Sequence, residues 1–372
     1  MTRVSSLYVH VPFCQHLCNY CDFYKQKLDD SVSQIEKFHQ FLSASVRRHE
    51  ALLAEAGFGW APLETVYLGG GTPSLWGPAG ATFFRDRLLP APLAPGAEFT
   101  MEVDPGTWTP ELLEAWRAAG LNRISVGTQS LDAEFLKILD RAHGLPESLA
   151  LLAELRRGDW NFSLDFLLGV PFSQRGRGRD IRAELERLLE FSPNHISLYI
   201  LNARSKYPHA ADLPDDDYVR DEYLFVSDYL RSLGFHHYEV SNFARPGYEA
   251  RHNLRYWRGE SVGALGPTAT GYLATAEKAL RYKWKVSRAE VEVENLSAEE
   301  RALEETYLSL RTSDGLNFKN DDSSVINDWE GQGYAYREAG KVKLTSKGFV
   351  MLDSLMDDLF RSEFEQKRAK RL

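Results

Sequence analysis

The chain contains three cysteines, Cys14, Cys18 and Cys21, and all fall within eight residues. An odd number of thiols in one short loop makes a poor disulfide framework. The Cys-x3-Cys-x2-Cys spacing suits a metal centre instead, because thiolates favour zinc or an iron–sulfur cluster. A closed zinc site asks for a fourth ligand, and His10 and His16 stand nearby in the sequence. A cubane cluster held by three cysteines leaves one iron open to a small molecule. More polar residues follow at or near the ends of strand-like stretches: the run Gly69-Gly70-Gly71-Thr72-Pro73, then Glu102, Gln129 and Asp165, with Arg141 twelve residues after Gln129. A glycine run after a strand lets backbone amides approach a polar ligand closely. Taken with the cysteine loop, these residues predict a cofactor pocket.

Such a pocket needs elements to carry it. Strand-like stretches at 6–11, 65–68, 99–103, 123–127, 162–167, 196–201 and 237–240 alternate with helical ones, among them 33–56, 79–88, 110–119 and 216–233. Repeated strand–helix units imply an α/β fold with a parallel sheet. Six units suggest a partial (β/α)6 barrel whose strand ends carry the site; a flat doubly wound sheet is the alternative. Residues 1–240 form this unit. Residues 241–291 read as a connecting segment, irregular from about 245 to 282. Residues 292–372 read as a small helical, winged-helix-like domain, with a helix at 298–311, a turn at Asp314-Gly315, a strand at 341–344 and a closing helix at 346–360. The basic tail Lys367-Arg368-Ala369-Lys370-Arg371 reads as a solvated helix end.

The 372 residues carry a net charge of −9, which argues against a general nucleic-acid binder. No apolar run is long enough for a membrane span, and no secretory signal opens the sequence. The expected compartment is the cytoplasm, with at most peripheral membrane association.

The segment from Tyr8-Val9-His10-Val11-Pro12-Phe13-Cys14 through Cys21-Asp22-Phe23 resembles the radical S-adenosylmethionine (SAM) superfamily. More narrowly, with Arg123-Ile124-Ser125-Val126-Gly127, Asp165 before Gly169-Val170-Pro171, and His195-Ile196-Ser197-Leu198-Tyr199, it resembles the oxygen-independent coproporphyrinogen III oxidase group. The resemblance implies a 4Fe-4S cluster on Cys14, Cys18 and Cys21. It implies SAM contacts from Gly70, Gly71, Thr72, Glu102, Gln129, Arg141, Asp165 and Asn202, with Tyr8 beside the cluster. The chemistry implied is one-electron reduction of the sulfonium to a 5′-deoxyadenosyl radical, which needs an electron donor if SAM is cleaved.

Asp22-Phe23 stands where the oxidases continue with a glycine–cysteine pair. That departure, and the His-Asn-x-x-Tyr-Trp motif at His252-Asn253-Leu254-Arg255-Tyr256-Trp257, resemble the HemW-type haem-chaperone branch. Leu310-Arg311-Thr312 with Gly315-Leu316 resembles that branch's C-terminal appendage. The branch implies haem as ligand, an acceptor such as a membrane respiratory enzyme, and haem contacts from His252, Asn253, Tyr256 and Trp257. An imidazole is a good axial ligand for haem iron. The plain reading of the motif is a histidine hydrogen-bonded in a loop with its aromatics in the core. The rival function is the oxidase itself, so the resemblance leaves open whether the chain is an enzyme; a homodimer is also open. Gly263-Ala264-Leu265-Gly266-Pro267-Thr268-Ala269 and Asn202-Ala203-Arg204-Ser205 depart from the branch pattern on the substrate side.

Overall fold

The computed structural model describes the chain except residues 30–31, 176–177, 203–206, 318–323 and 370–372, and describes 362–369 by backbone alone. The basic tail and Ala203-Arg204-Ser205 therefore lie outside the described side chains. Six parallel strands form the body of the main sheet: β1 (Thr2–Val11), β2 (Phe58–Gly70), β3 (Leu93–Val103), β4 (Arg123–Gln129), β5 (Asn161–Leu168) and β6 (His195–Ile200). They pair in chain order, as right-handed strand–helix units require, and they make the partial barrel. The helices between them include α1 (Val32–Ala56), α2 (Gly77–Phe83), α3 (Pro110–Ala118), α4 (Ala133–Ile138), α5 (Leu145–Arg157), α6 (Ile181–Leu189) and α7 (Asp216–Ser232). Their starts follow from local chemistry. Thr109 accepts the Leu112 N–H, with Pro110 in the first turn of α3, and Asp132, Asp180 and Asp215 cap α4, α6 and α7.

Strand alternation sorts the side chains. On β3, Phe99, Met101 and Val103 join the apolar core, while Thr100 and Glu102 point to the opposite face. On β4 and β5, Ile124, Val126, Phe162, Leu164 and Phe166 do the same opposite Arg123, Ser125, Ser163 and Asp165. The barrel interior is therefore polar, and its members bond one another across strands. Register makes this work: Glu102 lies beside Ser125, Ser125 beside Ser163, and Asp165 beside Ser197.

Three expectations change here. Residues 245–282 are ordered: they hold α8 (Arg251–Trp257) and the short strands β9 (Gly263–Leu265), β10 (Thr270–Ala274) and β11 (Ala279–Trp284). Elements of three to seven residues are too short to show a period, and the glycines masked them. This segment is no mere connector. β8 (Asn242–Ala244) and β9 extend the main sheet at its two sides, and the boundary at 291/292 falls inside β12 (Val291–Leu296), which pairs with β11. The stretch at 237–240 does not follow β6: β7 (His236–Glu239) lies outermost, antiparallel to β8. Finally, the closing helix is two, α11 (Ser346–Val350) and α12 (Leu352–Ala369), beside α9 (Ala298–Leu310), α10 (Ser324–Gly331) and a ribbon of β13 (Leu316–Asn317), β14 (Ala335–Glu338) and β15 (Lys341–Leu344). Helices packed on a small ribbon give the winged-helix-like make-up expected.

The loops above β4 and β5 are clamped by a buried ion pair. The Arg179 Nε donates to Glu184 (2.7 Å), its guanidinium lies 4.6 Å over Phe166, and Glu184 also accepts from Ser130 Oγ (2.5 Å) and the Leu131 N–H (2.8 Å). Removing one partner of a buried pair strands the other charge. Arg179→Ala is expected to cost about 3–5 kcal/mol in denaturant unfolding, and Arg179→Met combined with Glu184→Gln to cost less than Arg179→Ala alone.

Candidate functional site

After β1 the chain makes a two-residue strand, Phe13–Cys14, that pairs with Gln26–Lys27 and closes the cysteine loop. Lys25 Nζ donates to the carbonyls of Cys18 (3.0 Å) and Cys21 (2.6 Å) and ties the loop from within. Cys14 is buried; Cys18 and Cys21 are half-buried. Burial pushes the Cys14 thiol up to about 11, against the hydroxyl of Thr72, and raises Cys18 as well. The glycine run is fastened to the same loop, with the Gly71 N–H on Val11 O (2.9 Å) and the Thr72 N–H on Phe13 O (2.6 Å). Approach is so close that a Cβ on Gly71 would sit 2.5 Å from Phe13 O. Gly70 has φ +120°, a conformation L side chains rarely adopt.

The cysteines, the glycine run and the strand ends face one cavity of about 460 Å³. Cys14, Cys18, Cys21, Gly70, Gly71, Thr72, Glu102, Gln129, Arg141, Asp165 and Asn202 all line it. Tyr8 does not. It sits below, its hydroxyl 3.1 Å from His10 Nδ1, while His10 Nε2 meets the carbonyl of Tyr24 (2.9 Å). His10 is thereby engaged away from any metal, and His16 pairs with Asp140 (2.9 Å). Among the described residues, no three His, Cys, Asp or Glu side chains converge tightly enough for a single metal ion. A cubane asks less, since each cysteine binds its own iron.

The cavity walls carry opposed charges. Arg141 donates to Asp104 (2.5 Å), Tyr20 (3.0 Å) and the Gly127 carbonyl (3.2 Å), and His143 is buried against Asp104 (3.1 Å). Burial works against ionising Asp104, but His143 and Arg141 outweigh it and hold its carboxyl below the usual range. Glu102 accepts from Tyr67 Oη (2.9 Å) and the Gly70 N–H (3.0 Å). Burial, and then the neighbouring Asp165, push Glu102 up to about 7. Burial also pushes Asp165 to about 6, against the hydroxyls of Ser125 and Ser197. A pocket with a thiol wall, a glycine edge and two carboxyls without a bonded cation could hold a cluster and a ligand bearing an ammonium group. Sequence reasoning missed Tyr67, Asp104, Tyr20 and Tyr199. Asp104 was visible beside Glu102; Tyr67 had only its strand parity to mark it.

The His-Asn-x-x-Tyr-Trp motif lies elsewhere. It forms α8, and His252 is 1% exposed, with Nδ1 on Thr65 Oγ1 (2.9 Å) and Nε2 buried without a partner. Burial lowers its pKa to about 3, so the ring is neutral. The rings of Tyr8, Tyr67 and Tyr256 surround it, and Trp257 lies under the Arg311 guanidinium at 4.5 Å. The residues expected to contact haem, His252, Asn253, Tyr256 and Trp257, thus share one helix outside the cysteine-lined cavity, His252 buried and the other three partly exposed.

Glu102 and Asp165 set a pH dependence. Their carboxyls ionise near 4 in an unfolded chain but near 7 and 6 in the fold, so the native state holds the extra protons. The stability this gives is complete below pH ~4 and is lost as pH rises through 6–7. In the cofactor-free chain, Glu102→Gln is expected to unfold like the parent at about pH 4 and to be the more stable by a few kcal/mol at about pH 8; denaturant titration at several pH values checks this.

The family model of the radical SAM superfamily matches residues 8–206. A Mycobacterium tuberculosis protein named "Heme chaperone HemW" is 37% identical over 72% of this chain and 69% of its own length. Proteins of the same name from Escherichia coli (35% identical, covering 69% of this chain and 68% of the relative) and Lactococcus lactis (29%, 96% and 99%) are also similar. Among solved structures, one described as "Coproporphyrinogen III oxidase (HemN) from Escherichia coli is a Radical SAM enzyme" superposes with a TM-score of 0.76, at 20% identity over 95% of this chain and 89% of that one; at that identity it speaks for the fold. With its three thiols on a loop between the first strand and the glycine edge of the second, the chain belongs to the radical SAM superfamily and, within it, to the HemW family.

Proposed function

We propose that this chain is a haem chaperone, binding haem and passing it to an acceptor protein. The observation that carries the reading is similarity running almost end to end with proteins that bear that name. Superfamily membership implies a 4Fe-4S cluster and SAM. In this reading Cys14, Cys18 and Cys21 hold three irons, and Gly70, Gly71, Thr72, Glu102, Gln129, Arg141, Asp165 and Asn202 surround SAM, with Tyr8 supporting them from below. When bound, the two groups supply one-electron cleavage of a sulfonium. The protein's own part is to seat them. Glu102 offers carboxylate oxygen to an ammonium group, the glycine edge admits a ligand against backbone, and Arg141, neutralised by Asp104, closes the far wall.

Haem is the cargo, and we place it at the mouth of the pocket. Phe23 is 70% exposed there, and Tyr199 and Ile200 line the mouth half-exposed. Apolar side chains left in water beside a polar pocket mark a binding surface, and they suit the face of a porphyrin. His16 is the imidazole on that wall. The acceptor we expect is a membrane respiratory enzyme reached from the cytoplasm. Among the described residues, no helix is long and apolar enough to cross a membrane.

Two measurements test the reading. Haem titrated into anaerobically reconstituted protein is expected to bind saturably, about tenfold more weakly in Phe23→Asp, the loss expected from one buried aromatic contact, and more weakly or with an altered spectrum in His252→Ala. Turnover of coproporphyrinogen III without saturable haem binding would replace the chaperone by the oxidase. Cys18→Ala is expected to lose cluster iron and sulfide; a normal content of both would remove the cysteine loop from the site.

A further inference from the structure

The link between α4 and α5 is fastened to the end of β3 by one carboxylate, that of Asp104. One of its oxygens takes the Gly106 N–H (2.9 Å), the other takes Arg141 Nη2 (2.5 Å), and His143 Nδ1 bridges the two at 3.2 and 3.1 Å. A carboxylate held ionised only accepts, so the ring nitrogen facing it carries the proton. The His143 side chain is fully buried, and its Nε2 has no partner. Asp104 and Arg141 line the cavity and His143 does not. The route from His143 to a bound ligand therefore runs through Asp104. Arg141 spends three hydrogen bonds on the protein: Asp104, the Gly127 carbonyl at the end of β4, and the hydroxyl of Tyr20. A guanidinium has donors beyond these, and Arg141 Nε is one of them, buried without a partner. Tyr20 stands between Cys18 and Cys21 and packs against Leu139, Leu167 and Leu201. His16, earlier in the same loop, pairs with Asp140. The cysteine loop thus docks twice on the link that Asp104 anchors.

We propose that Asp104 and His143 are positioning residues for SAM: His143 orients the Asp104 carboxylate, and Asp104 holds the Arg141 guanidinium between the cysteine loop and the pocket, its remaining donors kept for the oxygen atoms of SAM. The inference rests on the reading of the pocket as the SAM site. An arginine left free must order a long side chain at the moment a ligand binds, whereas one already held has met that cost in folding. Holding it takes an acceptor oxygen in one fixed place. The carboxylate in turn stays in place because both of its oxygens are engaged, one side of that grip being the buried imidazole. What the pair supplies is geometry, so an uncharged group with the same acceptor or donor atom serves in its place.

The test is SAM titration into anaerobically reconstituted parent, Asp104→Leu, Asp104→Asn, His143→Leu and His143→Asn, with iron and sulfide measured alongside. Asp104→Leu and His143→Leu are expected to weaken SAM about tenfold, the scale of one hydrogen bond to a charged group. Asp104→Asn keeps an acceptor oxygen for Arg141, and His143→Asn puts an amide donor where Nδ1 stood. Both are expected to recover most of the affinity, and all four variants to keep the parent's iron and sulfide, since no thiol is touched. Parent-like SAM affinity in the two leucine variants overturns the proposal. So do asparagine variants no better than the leucine ones, which would make the pair mere structural support, and a loss of iron and sulfide in step with SAM. Should Asp104→Leu fail to fold, the two His143 variants decide alone; should His143→Leu fail, the two Asp104 variants do. A parent that binds cluster but no SAM removes the pocket reading itself, a result distinct from any difference among variants.

Discussion

The barrel depends on satisfying polar side chains where no water reaches them. An unpaired buried polar group costs about 1–3 kcal/mol, and this lumen holds a column of them. Most find a partner on another strand or on α8: Ser163 with His195, His195 with Tyr238, Ser125 with Asp165, Tyr67 with Glu102, Thr65 with His252. Strand register decides these pairs. A slip of one residue would turn the whole set toward the helices and the apolar set inward. The pocket is the open end of this column, where two carboxyls are left with spare acceptor capacity.

That arrangement also explains which parts of the molecule could be read in the sequence. The cysteine loop, the glycine run and the polar strand ends were legible because their residue types are rare at such spacing and because long strands and helices carry a clear period. All the predicted cofactor residues but Tyr8 meet in one cavity. Tyr8 and Tyr67 show what was hidden. Both are tyrosines on adjacent strands, paired in register and outside the cavity lining, yet Tyr8 meets His10 and Tyr67 meets Glu102. His252 was legible as a motif but not as a buried ring, since burial depends on where a seven-residue helix docks. β9 and β8 were hidden for a related reason: three residues show no alternation, and β9 pairs with a strand more than 250 residues away in sequence.

The C-terminal region is attached through backbone as well as side chains. Val240 N–H donates to Arg311 O, Ser313 N–H donates to Tyr238 O, and Glu239 bridges to Thr312. The edge of the main sheet thus continues into the loop after α9. The carboxyl of Glu239 is buried at this joint, pushed up to about 7 by burial against the pull of Arg311. Because the same arginine covers Trp257, the appendage, the sheet edge and α8 share one anchor.

Lys25 shapes the cysteine loop from within. Its ammonium already gathers the carbonyls of Cys18 and Cys21, and the short ribbon fixes Cys14, so the loop takes its shape as the chain folds. The conformational entropy of drawing the thiols together is thus spent in folding. The loop thus presents a preformed cradle, with two half-buried thiols at its lip and the buried one at its floor.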